Sequence, residues 1–382
     1  MSLPLPWVHR DGAPAARVTR SLLAGSLLVG GLFAGGTALA GPASGEGLRQ
    51  PVVDSARASH AQARSRWEEA AWTFETMGDR IDPLFVAADA ASALAGEAQR
   101  AGWNSPAVPG LVDALVATAK PDGGFGLARE WDAFQDGTVN PDTTSYTATT
   151  AGHVGAVLLA GYTAGVVPVT VVNRAIDSIL DLPRAPGDPC IPYSNSPHDL
   201  GRPCVWNTHF GSAAWVKEAS GVTGHRRDDV TALISSVTSV LVTLRADPRT
   251  GYLPYSSAQT APQDIGHQLW TANAIDYLRG DRTFLTVMVR KQFWRVQAGR
   301  SHDHVVASAM SGIALFDCRY ATDPLVLTHA SATHGGTPYA FKALATQART
   351  VLGRCFGVPG DQGTSGATSL PADLGLLQPD LG

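Results

Sequence analysis

The strongest constraint on the fold of this chain is the alternation of long segments rich in Ala, Leu and Val with loops rich in Gly, Pro and aromatic residues. Within the long segments, apolar residues recur every three or four positions, which is the spacing of one face of an α-helix. Strand-like alternation is scarce, and the β-branched stretches at 169–181 and 226–245 also keep helical spacing. These patterns predict an all-α protein.

Gly and Pro residues at the ends of the long segments set the limits of the predicted helices. The helices are expected over 54–78, 82–101, 107–119, 143–165, 169–181, 206–220, 226–245, 266–279, 282–298, 304–317 and 338–354. No linker-like stretch interrupts residues 54–356, so we expect one domain there. Residues 41–53 are expected to form a linker, and residues 357–382 a disordered tail.

Residues 1–40 have the pattern of a signal peptide. Basic residues precede an uncharged apolar run at 21–36, and Ala38 and Ala40 supply the small side chains of a cleavage site. The run is shorter than a membrane anchor and rich in glycine. We therefore expect cleavage before Gly41 and a secreted, extracellular mature protein that is not attached to a membrane.

The cysteines predict disulfide bonds, because an exported chain with an even number of cysteines favours pairing. Cys190 and Cys204 bracket a loop rich in Pro, Asn and Gly, which makes this pair our first choice and leaves Cys318 to pair with Cys355. Two other pairings are possible. No Cys-x-x-Cys spacing occurs, so zinc bound by these cysteines is not expected.

Charge and motifs exclude several classes of function. The formal net charge is −4 and basic residues do not cluster, so we expect no nucleic-acid partner. The glycine-rich turn at 123–126 lacks a following Gly-Lys-Ser/Thr phosphate motif. His302 and His304 have the spacing of a metal pair, but no third ligand is evident. The sequence therefore predicts neither a metal nor a cofactor.

A weak internal repeat organises the middle of the chain. Residues 191–194 (IPYS) are echoed by residues 253–256 (LPYS), and each copy is followed by a polar loop. Each loop leads into a predicted helix that begins with polar and aromatic residues, at 206–210 and at 267–270. Repeated units of loop and helix are typical of a solenoid or a closed ring.

Two motifs carry a resemblance to known proteins. Residues 121–126 (PDGGFG), followed by 142–147 (DTTSYT), resemble the repeat of α/α-toroid proteins, which include protein prenyltransferase β subunits and terpene cyclases. Residues 263–268 (QDIGHQ) are similar to helix-leading segments of α/α-barrel polysaccharide lyases, epimerases and hydrolases. The resemblance implies an α/α toroid, an incomplete barrel of helical hairpins, here stapled by two disulfides. It implies little about the reaction, because one architecture hosts unrelated chemistries.

In a toroid, the polar residues at the ends of the inner helices line a shared cavity. The residues expected to converge there are Asp142, Tyr146, His153, Asn207, His209, Tyr255, Asp264, His267, Gln268 and His304. For sugar chemistry, the catalytic candidates are His209, His267, Tyr255, Asp142 and Asp264. The candidates for substrate binding are Asn207, Trp206, Tyr146, Tyr193, Trp270 and Gln268, with the aromatic side chains as platforms for sugar rings.

Two reactions fit this set of residues. In a lyase, His209 or His267 would abstract the proton at C5 of a uronate, and Tyr255 or Tyr146 would protonate the leaving oxygen. Asn207 would then hydrogen-bond the carboxylate. In a glycoside hydrolase, two carboxylates would flank the scissile bond. The carboxylates available for that role are Glu130, Asp132, Asp136, Asp142 and Asp264.

Structural roles compete with these chemical roles. Asp142 and Asp264 each precede a predicted helix, where an aspartate commonly serves as an N-cap. His153 on an inner helix is expected to be a hydrogen-bonded core residue. Gly123 and its neighbours are expected to form a tight turn, with Phe125 packed beneath it.

The leading prediction is a secreted carbohydrate-active enzyme, either a polysaccharide lyase or a glycoside hydrolase, with its site at the mouth of the toroid. Its partner would be an extracellular polysaccharide. A non-catalytic extracellular binding protein and an isoprenoid cyclase or transferase are the alternatives. The isoprenoid alternative lacks the Asp-x-Asp-Asp and Asp-Asp-x-x-Asp motifs and a counterpart of the prenyltransferase zinc cysteine. The sequence sets no oligomeric state.

Overall fold

The computed structural model describes residues 49–184, 187–248, 250–295, 304–333, 336 and 338–358. The α-helices are α1 (Arg49–Gly78), α2 (Val86–Ala101), α3 (Val108–Val116), α4 (Gly155–Thr163), α5 (Val169–Leu180), α6 (Trp206–Thr223), α7 (Arg227–Ser239), α8 (Ile265–Arg279), α9 (Thr283–Arg290), α10 (His304–Phe316), α11 (Pro324–His329) and α12 (Pro338–Phe356). A π-helix (Ala148–Val154) leads into α4. Short 3₁₀ helices cover Pro197–Asp199, Val240–Val242 and Cys318–Thr322. The all-α prediction is confirmed: these residues contain no strand, and extended segments meet only in isolated bridges.

Two helices differ from the prediction by five residues or more at their N-terminal ends. Helix α1 already includes Arg49, the first described residue, so residues 49–53 of the expected linker are helical. The helix expected over 143–165 begins only at Ala148. Backbone bonds hold the residues before it in an extended conformation, since the Tyr146 N–H donates to the Phe125 carbonyl.

Two further differences concern short elements. The helix expected over 226–245 ends as an α-helix at Ser239 and continues as a 3₁₀ turn. Helix α11 was not expected from the sequence. It is six residues long, and its N-cap is Asp323, whose side chain accepts from the N–H groups of Leu325 and Val326. A helix this short leaves too few turns for a periodic apolar pattern to be recognised.

The even-numbered helices contact one another in sequence order, from α2 through α4 with its π-helix, α6, α8 and α10 to α12, and α12 also contacts α2. Each odd-numbered helix packs against an even-numbered neighbour: α1 on α12, α3 on α2, α5 on α4 and α6, α7 on α6, α9 on α8 and α11 on α10. The even-numbered helices α6, α8 and α10 are buried around most of their circumference, whereas α7 buries only Val230, Leu233 and Val237. These three even-numbered helices are therefore buried on more sides than α7.

Close approaches between glycine and tryptophan fix neighbouring even-numbered helices. A Cβ atom placed on Gly211 of α6 would come within 2.2 Å of the Trp270 ring of α8. A Cβ atom on Gly155 of α4 would likewise come within 2.5 Å of the Trp215 ring of α6. In both cases the tryptophan of one helix fills space that only a glycine on the preceding even-numbered helix leaves open.

The glycine-rich motif is a structural turn, as expected. Gly123 has a φ of 90°, and a Cβ on Gly126 would lie 2.0 Å from the Thr144 carbonyl oxygen. The Asp122 carboxylate accepts from the Gly124 N–H at 3.0 Å, from the Ser145 hydroxyl at 2.5 Å and from the Asn195 side-chain amide at 2.8 Å. The motif therefore joins three loops, and Phe125 is fully buried beneath it.

Both expected disulfides are present. Cys190 and Cys204 have Cα atoms 5.5 Å apart, and Cys318 and Cys355 have Cα atoms 5.2 Å apart. The first bond closes the loop between α5 and α6. The second ties the 3₁₀ helix after α10 to the end of α12.

Loss of the two disulfides is expected to destabilise the protein unequally. Because loop-closure entropy grows with loop length, replacing Cys190 and Cys204 by Ser would cost about 3 kcal/mol for a separation of 14 residues. Replacing Cys318 and Cys355 would cost about 4 kcal/mol for a separation of 37. Urea unfolding of the two double variants checks the order. A larger loss for the Cys190–Cys204 pair would contradict this account.

Some expectations concern residues that the structure does not describe. The predicted signal peptide at 1–40, residues 41–48 of the linker and residues 359–382 of the tail lie outside the described ranges. Among the residues that are described, no helix has both the length and the apolar character needed to cross a bilayer.

Candidate functional site

Five aromatic residues form a cluster where several helices begin. This mouth cluster consists of Trp131, Phe134, Tyr146, Tyr193 and Tyr255. The apolar group around it also contains residues at the starts of α2, α6 and α12, so the N-terminal ends of these helices meet here. The sequence repeat brings Tyr193 and Tyr255 to this place, because each lies in the loop before an even-numbered helix.

The rings of the mouth cluster pack mainly edge to face. The ring centroids of Trp131 and Tyr146 lie 5.4 Å apart, those of Tyr146 and Tyr193 6.0 Å, and those of Phe134 and Tyr193 5.4 Å. Tyr146 and Tyr193 are buried by this packing, whereas Trp131, Phe134 and Tyr255 keep part of their surface exposed. The exposed rims of these three rings can therefore contact a ligand.

Bridges between loops hold the mouth together. Tyr146 pairs with Ser194, and Val205 pairs with Ser256, in isolated antiparallel bridges. The Trp206 N–H donates to the Tyr255 carbonyl at 3.0 Å. Each loop is thus fixed by backbone bonds to the start of the preceding unit, which places its side chains reproducibly.

An aspartate–histidine pair lies at the start of α8. The Oδ1 atom of Asp264 accepts from the Gly266 N–H at 2.9 Å and from the His267 N–H at 3.1 Å, so Asp264 is the N-cap of the helix. Its Oδ2 atom hydrogen-bonds Nδ1 of the His267 ring. Asp264 therefore combines the capping role with a direct interaction with the histidine. A carboxylate can only accept, so Nδ1 donates in this bond, and Nε2 is the acceptor nitrogen of a neutral His267 ring.

Tyr255 stands beside this pair. Its ring is nearly perpendicular to the His267 ring, with centroids 5.0 Å apart. Burial, together with the negative charge of Asp264, raises the pKa of Tyr255 to about 12. The pKa of Asp264 is lowered, because the charge and hydrogen bonds of His267 and the Gly266 N–H outweigh the effect of burial. The site thus holds an ionised carboxylate, an imidazole and a protonated phenol in contact.

Asn207 lies on the face of α6 that is turned towards α8. Gly211, which contacts Trp270 of α8, is one helical turn after Asn207, and His267 is three residues before Trp270. Asn207 and His267 therefore lie on facing sides of the two helices. They are one helical turn nearer the mouth than the contact between Gly211 and Trp270. Asn207 is buried, and its Oδ1 atom has no hydrogen-bond partner among the described residues.

Three other predicted site residues lie in the interior. His209 is fully buried, its Nδ1 atom accepts from the Ile191 N–H at 3.1 Å, and burial lowers its pKa to about 4. Gln268 accepts from the Leu253 N–H at 2.9 Å through Oε1. Trp270 packs on Gly211. These contacts hold α6 and α8 to the preceding loops.

Trp206, Asp142 and two further histidines have other surroundings. Trp206 is buried against Phe210, with ring centroids 5.9 Å apart. Asp142 is exposed and does not cap the π-helix; its carbonyl oxygen accepts from the Lys120 ammonium at 2.6 Å. His153 and His304 are buried in the π-helix and at the start of α10.

Asp199 also lies near the mouth cluster and was not expected from the sequence to be a site residue. This buried residue ends a 3₁₀ turn in the loop closed by the Cys190–Cys204 disulfide. Its Oδ2 atom accepts from the Asn140 side-chain amide at 3.0 Å and from the Ser194 hydroxyl at 2.5 Å. Burial raises the pKa of Asp199. Nothing near it in the sequence resembles a motif, because its partner Asn140 is 59 positions away.

One group of possible metal ligands occurs in the described part of the chain. It consists of Asp188, Cys190 and Cys204. Both cysteine sulfurs are joined in a disulfide, so neither can act as a thiolate ligand.

Comparison with known proteins gives no family for this chain. The sequence matches no protein-family model, and neither the comparison with curated proteins nor that with solved structures finds a similar protein. Any conclusion about function must therefore come from the residues of the mouth.

Proposed function

We propose that the even-numbered helices form the inner ring of an α/α toroid, with the odd-numbered helices outside. The sequential contacts of the even-numbered helices and their greater burial support this arrangement. The contact between α12 and α2 favours a closed ring over the incomplete barrel implied by the resemblance. The mouth cluster would then lie at the end of the ring where the inner helices begin.

We further propose that the protein is a secreted polysaccharide lyase. The observation that carries this proposal is the Asp264–His267 pair in contact with Tyr255 at the mouth. Elimination needs a base and an acid close together, and a histidine oriented by a carboxylate beside a protonated tyrosine supplies both. Secretion is supported by the leader pattern at 1–40 and by the two disulfides.

In the proposed reaction, Nε2 of His267 takes the proton from C5 of a uronate. The electron pair left at C5 forms the C4–C5 double bond as the C4–O4 bond breaks, and Tyr255 gives its proton to O4. Water or the His267 imidazolium then returns a proton to the Tyr255 phenolate. Asp264 keeps the Nδ1 proton in place and stabilises the imidazolium.

Asn207 is assigned the role of hydrogen-bonding the substrate. Its buried amide faces the His267 side of α8, and its oxygen has no protein partner. A buried amide left without a partner is costly, so a hydrogen bond from a bound sugar would be favourable. The amide N–H group can in turn donate to a substrate carboxylate.

A product screen tests the proposed activity. Purified mature protein is incubated with uronate-containing and neutral polysaccharides, and both the absorbance of an unsaturated product and new reducing ends are followed. The proposal expects unsaturated product from at least one uronate polymer. New reducing ends without unsaturation, or no cleavage of any polymer, would refute it.

Asp264→Asn is expected to preserve the N-cap of α8 but to lower the catalytic rate. The amide oxygen can still accept from the Gly266 and His267 N–H groups, so stability should stay within about 1 kcal/mol of the wild type. Loss of the negative charge removes the stabilisation of the imidazolium, and kcat should fall on the order of a hundredfold or more. Thermal unfolding and elimination rates measure the two effects. Full activity in the folded variant would show that the pair has no catalytic role.

A further inference from the structure

The surroundings of Asp199 differ from those of an ordinary buried ion pair. Its carboxyl group is only 2 % exposed, yet its two hydrogen-bond donors, Asn140 and Ser194, are both neutral. Both donate to Oδ2. No hydrogen bond from another described residue reaches Oδ1. A buried carboxylate without a cation in contact is unfavourable, and protonation removes that cost.

The hydrogen bonds also decide which oxygen carries the proton. Oδ2 accepts from both neighbours, so a proton on Asp199 belongs on Oδ1. A neutral carboxylic acid with its second oxygen occupied as an acceptor is a hydrogen-bond donor through the first. In its neutral form, Asp199 would therefore present an O–H group at Oδ1 rather than a charge.

The ionisable groups around Asp199 are Arg202, His198, Tyr146 and Tyr193. Burial raises the pKa of Asp199 and outweighs the hydrogen bonds from Ser194 and Asn140 and the positive charge of Arg202, which lower it. The Tyr193 phenol lies within electrostatic range of Asp199 and also of Tyr146 and Tyr255, and burial raises its pKa well above the ordinary value. Tyr193 thus connects Asp199 with the side of the mouth where Tyr255 and His267 lie.

Cations near the mouth are committed elsewhere. The Arg202 guanidinium is 2.5 Å from Asp136 and lies over the Phe134 ring. The Lys120 ammonium donates to the carbonyl oxygens of Leu127 at 2.8 Å and Asp142 at 2.6 Å. Both cations therefore already have partners within the protein.

We propose that Asp199, as a neutral carboxylic acid, donates a hydrogen bond to the carboxylate of a uronic acid residue bound at the mouth. This inference rests on the proposed lyase function and assigns its substrate class, polymers of uronic acids. Removal of the C5 proton by His267 moves negative charge onto the substrate carboxylate. A protonated carboxyl group in an apolar site stabilises such charge by donating to it.

Substitution of Asp199 by Asn or Leu tests whether activity requires a hydrogen-bond donor or a negative charge at this position. Asp199→Asn places an amide N–H where the acid has its O–H, so turnover should stay within about tenfold of the wild type. Asp199→Leu removes the donor, and kcat should fall by about 10² to 10³. Asp188→Asn, in the same disulfide-closed loop, is the matched control and should leave turnover unchanged. Loss of activity in Asp199→Asn as large as in Asp199→Leu would overturn the proposal, because an anion would then be required.

The pH profile gives a second readout. In the wild type, activity should decline as pH rises through the pKa of Asp199, because the O–H donor is lost. An amide does not ionise in this range, so Asp199→Asn should keep its activity to higher pH. An unchanged alkaline limb in the folded variant would contradict the assignment.

Binding measurements distinguish a failure of the role assigned to Asp199 from a failure of the proposed lyase activity. Calorimetry with His267→Ala protein compares oligosaccharides of galacturonate, mannuronate, guluronate and glucuronate with neutral cello-oligosaccharides. The inference expects a uronate oligosaccharide to bind and Asp199→Leu to weaken that binding by about tenfold or more. Equal binding of neutral and uronate oligosaccharides, or unchanged affinity in Asp199→Leu, would refute it. Binding as expected without elimination by the wild type would instead refute the lyase and leave uronate recognition standing.

Discussion

His267→Ala is expected to reduce elimination by about 10² to 10⁴, which is the usual contribution of a general base. The variant keeps Asp264 as the cap of α8, so the helix should form and the protein should stay folded. Rates of unsaturated-product formation are compared at saturating substrate. His60→Ala, on an exposed position of α1, is the matched control and should retain wild-type activity.

The same experiment tests the choice between the two predicted histidines. His209 is fully buried and bound to the Ile191 backbone, so His209→Ala should act mainly on stability. If activity survives His267→Ala but is lost in a folded His209→Ala protein, the base is not His267 and the site lies elsewhere in the protein. Circular dichroism and thermal unfolding of both variants separate misfolding from a loss of chemistry.

Gly211→Ala is expected to destabilise the protein by about 1–3 kcal/mol, the usual effect of overpacking a core. The added Cβ would come within 2.2 Å of the Trp270 ring, so α6 and α8 would have to move apart. Because Asn207 and His267 lie one turn away on the same two helices, activity should fall as well. Urea unfolding measures the free-energy change.

Gly221→Ala provides the control within the same helix. Gly221 is exposed, and a Cβ atom there would meet nothing within 4 Å. Alanine is the better helix former, so this variant should be more stable by roughly 0.5–1 kcal/mol. Equal effects of the two substitutions would show that the Gly211–Trp270 contact does not hold α6 against α8.

Most of the secondary structure could be predicted from the sequence because the helices are long and their apolar residues are periodic. Helices α5 and α10 lie close to their predicted limits. The π-helix could not be predicted, since its start depends on bonds from Tyr146 and Thr147 to distant loops. The Cys190–Cys204 bond followed from local spacing, because both cysteines flank one loop.

The part of the candidate site that lies in the internal sequence repeat could be predicted from the sequence. Tyr193 and Tyr255 occupy matching places in the two copies, and both reach the mouth cluster. Asp264 and His267 are three positions apart at a helix start, so their contact follows from local geometry. Asp199 was not predictable, because its environment comes from Asn140 and from rings on other loops. Burial of His209 likewise depends on the loop that packs over it.

Mass spectrometry of the products from a defined uronate oligosaccharide distinguishes elimination, with His267 as the base, from hydrolysis. If the mouth cleaves by elimination, the product masses sum to that of the substrate and the new non-reducing end is unsaturated, and His267→Ala gives none of these products. Products whose summed mass exceeds that of the substrate by one water would identify hydrolysis and contradict the proposed elimination.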